Sequence, residues 1–168
     1  PGYSNVSSHN FDAQVSAQDL KDTFEPAFEA CIKAGARGSM CSYNQVNGVP
    51  MCGNRELEQR LMRDSWGFDG IIVTDCDAVA DMFYPQQLAA TGPETVTMAL
   101  GASTNVFCSP GWFEDNTRLE MHGPLLKESL RRTLRVRFEL GEFDPPMPGY
   151  SPPPFDGEAE RSFAKEAA

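Results

Sequence analysis

The feature that most constrains the fold is a short segment, Ile71-Ile72-Val73-Thr74, which follows a turn at Asp69-Gly70. Its residues are apolar or β-branched, and this composition predicts a strand buried on both faces, as in a parallel sheet that helices cover. Two further short runs, 38–43 and 104–108, predict strands of the same kind. A chain with such strands must also supply the helices that shield them.

Amphipathic helices are predicted between these strands. The first opens with Ser16 as its N-cap and ends at Gly35, and Pro26 is expected to kink it or to start a second helix. Three more are predicted at 56–65, 93–100 and 124–141. The alternation predicts an α/β fold of parallel βα units. Because three strands do not close a barrel of about 250 residues, we predict a partial (β/α)8 TIM-type barrel, its C-terminal half, with a small doubly wound sheet as the alternative.

Composition divides the chain into three parts. Residues 1–144 carry the alternating pattern and are predicted to form the half-barrel. Residues 145–157 are predicted to be a stiff linker, because six prolines fall between Pro145 and Pro154. Residues 158–168 are helix-prone up to the last residue. The chain begins with Pro1 and shows neither an initiator Met nor a signal peptide, so we expect a piece of a longer protein.

Charge, hydropathy and cysteine spacing argue against several function classes. The net charge of −10 repels phosphate backbones, so we expect no nucleic acid partner. The apolar runs are too short to span a bilayer, so we expect no membrane partner. The five cysteines form no C-x-x-C pair and stand far from both histidines, which argues against a metal site or a redox protein. One interpretation of the cysteines is that they are small buried apolar side chains.

Polar side chains follow each predicted strand, and reacting groups in parallel α/β folds sit at these carboxyl ends. Asp75 is the best candidate for a nucleophile, because a rigid strand would hold its carboxylate at the mouth of a barrel. The alternative is that Asp75 or Asp77 caps the turn after the strand. The candidates are Tyr43 and Asn44 after the first strand, Asp75, Cys76 and Asp77 after the second, and Asn105 and Cys108 in and after the third.

Several other side chains carry expectations of their own. Cys76 and Cys108 should lie close together, because each ends a strand and the two strands flank a single helix. Tyr43 should either donate a hydrogen bond at the site or be a core tyrosine at the rim. Trp66 is expected to pack, and Trp112 either to pack or to stack on a ligand. A run of arginines between 131 and 137 is expected to form a solvated face with salt bridges.

Two motifs resemble a known family. The run from Met40 to Pro50 (MCSYNQVNGVP) is similar to the long signature of glycoside hydrolase family 3, in particular its plant-type β-xylosidase and α-arabinofuranosidase branch. Trp66 to Gly70 (WGFDG) and Val73 to Val79 (VTDCDAV) resemble the nucleophile segment of that branch. Leu140 to Asp144 (LGEFD) resembles the end of the family's barrel, and residues 163–168 resemble the helix that begins its following α/β domain.

The resemblance implies a function. It implies that Asp75 is the nucleophile and that Tyr43 lies beside it in the −1 sugar site. It also implies that Cys76 contacts the substrate, at a position that favours pentosides. The expected reaction is hydrolysis of terminal, non-reducing β-xylosyl or arabinosyl residues from xylan-derived oligosaccharides with retention of configuration, using neither metal nor cofactor. The branch is typically secreted, so an extracellular or secretory location is expected.

The chain departs from the family pattern at several points. Ser7 or Ser8 stands where the family has an Arg, and residues 103–107 (STNVF) differ from the usual Asp-bearing strand. The family's Lys-His pair would precede Pro1, and its acid/base Glu would follow Ala168. The missing barrel half and C-terminal domain are therefore expected partners within a parent protein, and the chain alone is expected to be inactive. The alternative is a non-catalytic, sugar-binding or degenerate homologue.

Overall fold

The computed structural model describes residues 7–145, 149 and 156–167. Most of the predicted linker therefore lies outside the described residues. The strands are β1 (Asp12–Ala13), β2 (Gly38–Cys41), β3 (Gln45–Val46), β4 (Val49–Pro50) and β5 (Ile71–Thr74). The helices are α1 (the consecutive stretches Ala17–Asp19, π-type Leu20–Phe24 and Glu25–Lys33), α2 (Glu56–Ser65, π-type), α3 (Ala78–Asp81), α4 (Gly92–Ala102), α5 (Pro110–Asn116), α6 (Leu119–Glu139) and α7 (Gly157–Ala167).

A parallel strand pair organises the molecule. β2 lies parallel to β5, with Gly38 opposite Ile71 and Cys41 opposite Thr74. The mixed α/β class with parallel strands is thus confirmed. The predicted third strand is reduced to one parallel bridge between Val73 and Val106. It stays short because the backbone N–H groups of Asn105 and Val106 both donate to the carbonyl of Ile72, at 2.8 and 3.1 Å, which interrupts regular pairing.

The two faces of β5 differ in burial, which corrects the prediction of a strand buried on both sides. Ile72 and Thr74 are buried, at 1% and 3% exposure, and Ile72 packs in a core that includes Met62 of α2 and Ala99 of α4. Ile71 and Val73 on the opposite face are only half-buried. Met40, which pairs with Val73, is 57% exposed. The described helices cover one face, and side chains alternate between faces, so the second face stays open.

A second, small sheet was not predicted. β1 pairs with β3 in parallel, and β3 pairs with β4 in an antiparallel hairpin. Asn47 and Gly48 form the hairpin turn, with φ of 52° and 79°. An Asn-Gly pair is favoured there because both central residues of such a turn need positive φ. The Asn47 side chain also hydrogen-bonds the backbone of Val15 at 2.9 Å, which ties the hairpin to the chain ahead of α1.

The helix boundaries follow the predictions in part. The Ser16 hydroxyl accepts from the N–H of Asp19 as the N-cap, and Gly35 (φ 97°) ends the first helix. Pro26 lies in the first turn of the α-helical stretch Glu25–Lys33, where its missing N–H is not required, so the expectation that a second helical stretch starts there is confirmed. Pro124 was expected to open the long helix but lies inside α6. The buried His122, whose Nδ1 accepts from the N–H of Arg118, anchors the earlier start.

Four of the five cysteines form disulfides. Cys76 and Cys108 are joined with their Cα atoms 4.6 Å apart, which confirms the predicted proximity. Cys41 and Cys52 form a second bridge, with a Cα separation of 5.1 Å, that the sequence did not predict. Cys31 is free and exposed. Treating the cysteines as plain apolar side chains is therefore wrong for these four. Among the described residues, no helix has the length and apolar character that crossing a bilayer requires.

Candidate active site

Asp75 lies directly beyond β5, where both parallel strands end. Its backbone N–H donates to the carbonyl of Cys41 at 2.9 Å, so the backbone at this position is tied to the neighbouring strand. Its side-chain Oδ1 accepts from the N–H of Cys76 at 2.8 Å, which fixes the rotation of the carboxylate. The residue is half-buried. A carboxylate held in this way is supported by rigid elements and still reachable from solvent, as a reacting group must be.

Tyr43 meets Asp75 at the carboxyl ends of β2 and β5, a region that we call the mouth. It follows β2, is half-buried, and its phenol lies near enough to Asp75 for that carboxylate to shift the pKa of the phenol. Burial, the hydrogen bond to Asp75 and the negative charges of Asp75, Asp77 and Asp81 all raise the pKa of Tyr43 above its usual value. The phenol therefore keeps its proton across the neutral range and can donate a hydrogen bond to the carboxylate. The structure brings together the two residues that the sequence singled out.

Cys76 is exposed at the same mouth, but its sulfur is bonded to Cys108. The N–H of Cys108 donates to the Thr74 hydroxyl at 2.9 Å, which fixes this bridge to the end of β5. Any contact that Cys76 makes with a substrate would therefore come from a disulfide and not from a thiol. The expectation that Cys76 contacts the substrate stays a prediction.

Asp77 has the turn-forming role that the sequence left open for either aspartate. It adopts a left-handed conformation, with φ 68°, immediately before α3. Its N–H donates to the hydroxyl of Ser109 at 2.7 Å, and that hydroxyl donates in turn to the Asp77 carboxylate. The pair joins the loop after β5 to the start of α5. The Asp75 carboxylate also accepts a backbone N–H of this turn, that of Cys76, so both aspartates support the turn.

His9 and Asp81 complete the mouth, and sequence reasoning missed both. His9 Nδ1 and Asp81 Oδ2 are 2.7 Å apart, and the His9 ring lies with its centroid 4.1 Å from that of Tyr43, at 40° between planes. Burial raises the pKa of Asp81, while the hydrogen bond and charge of His9 lower it. The two residues are 72 positions apart and belong to no recognisable motif, so no local signal could have paired them.

Asn105, another strand-end candidate, belongs to a buried polar network and not to the mouth. Its Oδ1 accepts from Arg63 at 2.7 Å and from the N–H of Ile72 at 3.1 Å. Arg63 is 7% exposed and also binds both Oγ and the carbonyl of Ser103 and two backbone carbonyls before β5. Burial, followed by the charge of Arg132, lowers the pKa of Arg63 to about 10. Asn105 therefore holds β5 in place.

Glu58 is the acidic member of this buried region. It is 1% exposed; its Oε2 accepts from the Thr104 hydroxyl at 3.0 Å, and its Oε1 has no hydrogen-bond partner among the described residues. Burial raises the pKa of Glu58 to about 8, although the bond to Thr104 and the charge of Arg63 oppose the shift. Glu58 thus holds a proton at neutral pH. It has a perturbed pKa but no part in the mouth.

The remaining candidates serve packing and the surface. Trp66 and Trp112 both pack against the core, and the indole N–H of Trp112 donates to Thr95 at 3.1 Å. The arginines of α6 pair with carboxylates, as expected of a solvated face: Arg131 and Arg132 with Glu128, Arg135 with Asp69, and Arg137 with Glu142. Across the part of the chain that the structure describes, no group of three or more His, Cys, Asp or Glu side chains is arranged to hold a metal ion.

An apolar groove lies apart from the mouth. A groove of about 380 Å³ lies between α1, α2 and β2, and its walls are almost entirely apolar. Phe24 and Phe28 of α1, Met40 of β2 and Trp66 line it. Phe24 and Phe28 are more than half exposed there. The groove adjoins the free edge of β2, and of the strand-end candidates Asn44 lines it, while Asp75 and Tyr43 do not.

Comparison with known proteins is consistent with this geometry. The profile of the glycosyl hydrolase family 3 N-terminal domain matches residues 1–122. A probable β-D-xylosidase 6 of Arabidopsis thaliana is 38% identical over 147 residues, which is 84% of this chain and 18% of that protein. A probable exo-1,4-β-xylosidase of Aspergillus clavatus is 36% identical over 152 residues, 85% of this chain and 20% of that protein.

Solved structures show the same likeness. An exo-β-xylosidase of this family, in complex with a xylobiose aziridine activity-based probe, matches 83% of this chain with a TM-score of 0.72 and 28% identity. A β-glucosidase from Listeria innocua in complex with glucose matches 93% of this chain with a TM-score of 0.76 and 26% identity. The chain spans about a fifth of the length of each of these relatives.

Proposed function

The chain belongs to glycosyl hydrolase family 3, and from that membership we propose that it supplies the nucleophile for hydrolysing terminal, non-reducing β-xylosyl residues of xylan-derived oligosaccharides. Asp75 is the proposed nucleophile. The observation that carries the proposal is the placement of its carboxylate beyond β5, with Oδ1 held by the Cys76 N–H and the phenol of Tyr43 beside it. A nucleophile must attack the anomeric carbon in line, and such fixation favours that geometry.

The proposed mechanism is retaining. The Asp75 carboxylate attacks the anomeric carbon, the bond to the leaving oxygen breaks, and a general acid about 5–5.5 Å away donates a proton to that oxygen. Water then attacks the anomeric carbon of the glycosyl-enzyme ester while it gives a proton to the same group, which releases the sugar and restores the carboxylate. Tyr43 is proposed to orient Asp75 in the −1 site. The acid/base Glu is proposed to come from a further segment of a longer protein.

A pentoside substrate is proposed from the chemistry of the mouth. The Cys76–Cys108 disulfide occupies the position after the nucleophile and is exposed on the Cys76 side, so it presents a fixed apolar surface to a bound sugar. A xylosyl ring has no hydroxymethyl group and needs less space at such a wall. An arabinosyl residue is also a pentoside and is proposed as a second substrate. The xylosidases among the relatives support this class.

The proposed architecture is the C-terminal half of a (β/α)8 barrel over residues 1–144. The parallel pair β2–β5, the further bridge at Val106 and the uncovered face with Met40 support it. Residues 145–157 are proposed to be a linker, and α7 is proposed to begin the following α/β domain. The two disulfides support a secretory or extracellular location, because such bridges persist in oxidising compartments.

One set of observations favours a second candidate, a sugar-binding homologue without turnover. Ser7 and Ser8, one of which stands where the family has an Arg, are both exposed, and Asn105 is engaged by Arg63 and Ile72 in packing. If the lost positions abolish the chemistry, Asp75 and Tyr43 would still offer acceptors and a donor to a sugar hydroxyl.

The experiment that tests the proposal is covalent trapping in the full-length gene product. A 2-deoxy-2-fluoroxyloside with an activated leaving group should form a long-lived ester, and mass spectrometry of the digest should place one label on Asp75. Asp75→Asn should not be labelled, while Asp64→Asn, at an exposed position on α2, should be labelled as the wild type is. Turnover with a label on another residue would refute the assignment. Binding of xylo-oligosaccharide without label or turnover would establish the second candidate instead.

A further inference from the structure

The mouth contains a side-chain pair that the proposed chemistry does not use. We propose that His9 and Asp81 are positioning residues that hold the Tyr43 phenol against Asp75, an inference that rests on the proposed function. Among the described residues, neither side chain is hydrogen-bonded to Asp75. Both reach it through Tyr43.

Tyr43 needs such support, because it lies just beyond the end of β2. β2 ends at Cys41, and the next paired residues are Gln45 and Val46 of β3. Between them Tyr43 has no ladder partner, and its side chain is only half-buried. A phenol in this setting is free to change rotamer unless something packs on its ring.

The His9 ring provides that packing. Its centroid lies 4.1 Å from the Tyr43 centroid with the planes at 40°, so one face of the phenol is covered. The side-chain amide of Gln86 donates to the carbonyl of His9 at 3.0 Å and to the carbonyl of Tyr43 at 2.8 Å. One amide group therefore fixes the two backbones relative to each other. His9 and Tyr43 are therefore linked twice, by the contact between their rings and by the Gln86 amide that joins their backbones.

Asp81 fixes the His9 ring in turn. It is 6% exposed on α3, the short helix that follows the Asp75 loop, and its Oδ2 lies 2.7 Å from His9 Nδ1. A hydrogen bond to a buried carboxylate sets both the orientation and the donor nitrogen of the imidazole. The series Asp81, His9, Tyr43, Asp75 thus begins on α3 and ends on the loop directly before that helix. Losing His9 would leave Asp81 buried without this partner and Tyr43 without its ring contact.

The test is a double-mutant cycle in the full-length protein with an aryl xyloside. His9→Ala should lower kcat by about tenfold to a hundredfold, the effect of a small misplacement at a reacting centre, and should change KM by less than about threefold. His9→Phe should retain more of kcat, because its ring can still cover Tyr43. In a Tyr43→Phe background, His9→Ala should cost less than about threefold, since the two residues act as one unit. Glu142→Gln, in a surface ion pair, is the control.

A second readout does not depend on turnover. Ultraviolet absorbance is followed as pH rises in a protein and in the same protein carrying Tyr43→Phe. The difference between the two curves reports the ionisation of Tyr43, whose pKa is raised in the wild type. His9→Ala should bring that pKa back towards the usual value. An unchanged titration, or the full His9→Ala loss of kcat in the Tyr43→Phe background, would overturn the positioning role. A wild-type protein that is inactive but shows the titration shift would refute the proposed function and leave the positioning role standing.

Discussion

Asp75 and Glu58 are both carboxylates placed close to β5, but their surroundings are opposite in kind. Asp75 is half-buried at the mouth, with a backbone N–H and a phenol directed at it. Glu58 is buried, with one hydroxyl donor and one oxygen that has no partner among the described residues. Donors and access to water suit a group that must carry charge and react. Burial with few donors favours a protonated carboxyl that serves packing.

The comparison shows why a perturbed pKa alone does not identify an active site. Glu58, with a pKa of about 8, has a strongly displaced carboxyl, and yet it lies at the wall of the apolar groove, away from the other reacting groups. Its neighbours are Thr104 and the Arg63 network, which joins α2 to the segment after α4. Geometry at the strand end identifies Asp75 instead. Perturbed values indicate function only where a cleft and convergent polar groups accompany them.

The largest expected effect is on turnover. Asp75→Asn in the full-length protein should reduce kcat on the order of ten-thousandfold, because the attacking group is lost. Its thermal unfolding should stay close to that of the wild type, since the neutral amide can still accept from the Cys76 N–H. Glu58→Gln is the matched change in the core and should keep kcat within about threefold. If the activity of Asp75→Asn stayed within about threefold of the wild type, Asp75 would not be the nucleophile and would not differ in role from Glu58.

The next effect is on folding. Arg63→Met should lower the free energy of unfolding by about 3–5 kcal/mol, because it leaves several buried acceptors without their donor. Arg60→Met, one turn earlier in an exposed pair with Glu56, should change it by less than about 1 kcal/mol. Chemical denaturation followed by circular dichroism measures both. Equal losses in the two variants would show that the buried network does not support β5.

The pH dependence of stability should distinguish the wild type from the variant Glu58→Gln. The folded pKa of about 8 lies above the usual 4.5, so the folded state keeps a proton that the unfolded state loses. The contribution of Glu58 is therefore complete below about pH 4.5 and is lost as pH rises to about 8, by at most about 1.4 kcal/mol per pH unit. Glu58→Gln should lack this slope. Parallel stability curves for the two proteins between pH 5 and 8 would contradict the raised value.

The smallest expected effect sharpens the description of the mouth. Tyr43→Phe should lower kcat by about tenfold to a hundredfold, as the loss of one hydrogen bond to a charged group, about 1.5–3 kcal/mol, predicts. The fluoroxyloside should still label Asp75, more slowly. Steady-state kinetics and the trapping rate measure the two effects. A variant with wild-type kcat would show that Asp75 needs no phenol to orient it.

Local sequence signals determined the parts of the molecule that depend on neighbouring residues. The strand Ile71–Thr74, the helix cap at Ser16 and the turn at Asn47 follow from side-chain type and backbone preference. The placement of Asp75 and Tyr43 at one mouth follows from the rule that parallel strands end at the same edge. The proximity of Cys76 and Cys108 follows from it too.

Tertiary structure alone decided which distant groups meet. His9 pairs with Asp81 across 72 positions, and Arg63 reaches Ser103 and Asn105 across 40 and 42. These contacts depend on how α2, α3 and the segment after α4 pack on β5, and no periodicity or motif encodes that arrangement. Burial was decided in the same way. The strand β5 has an apolar sequence on both sides, but only the side that α2 and α4 cover is buried, because burial depends on the neighbouring elements as well as on the strand itself.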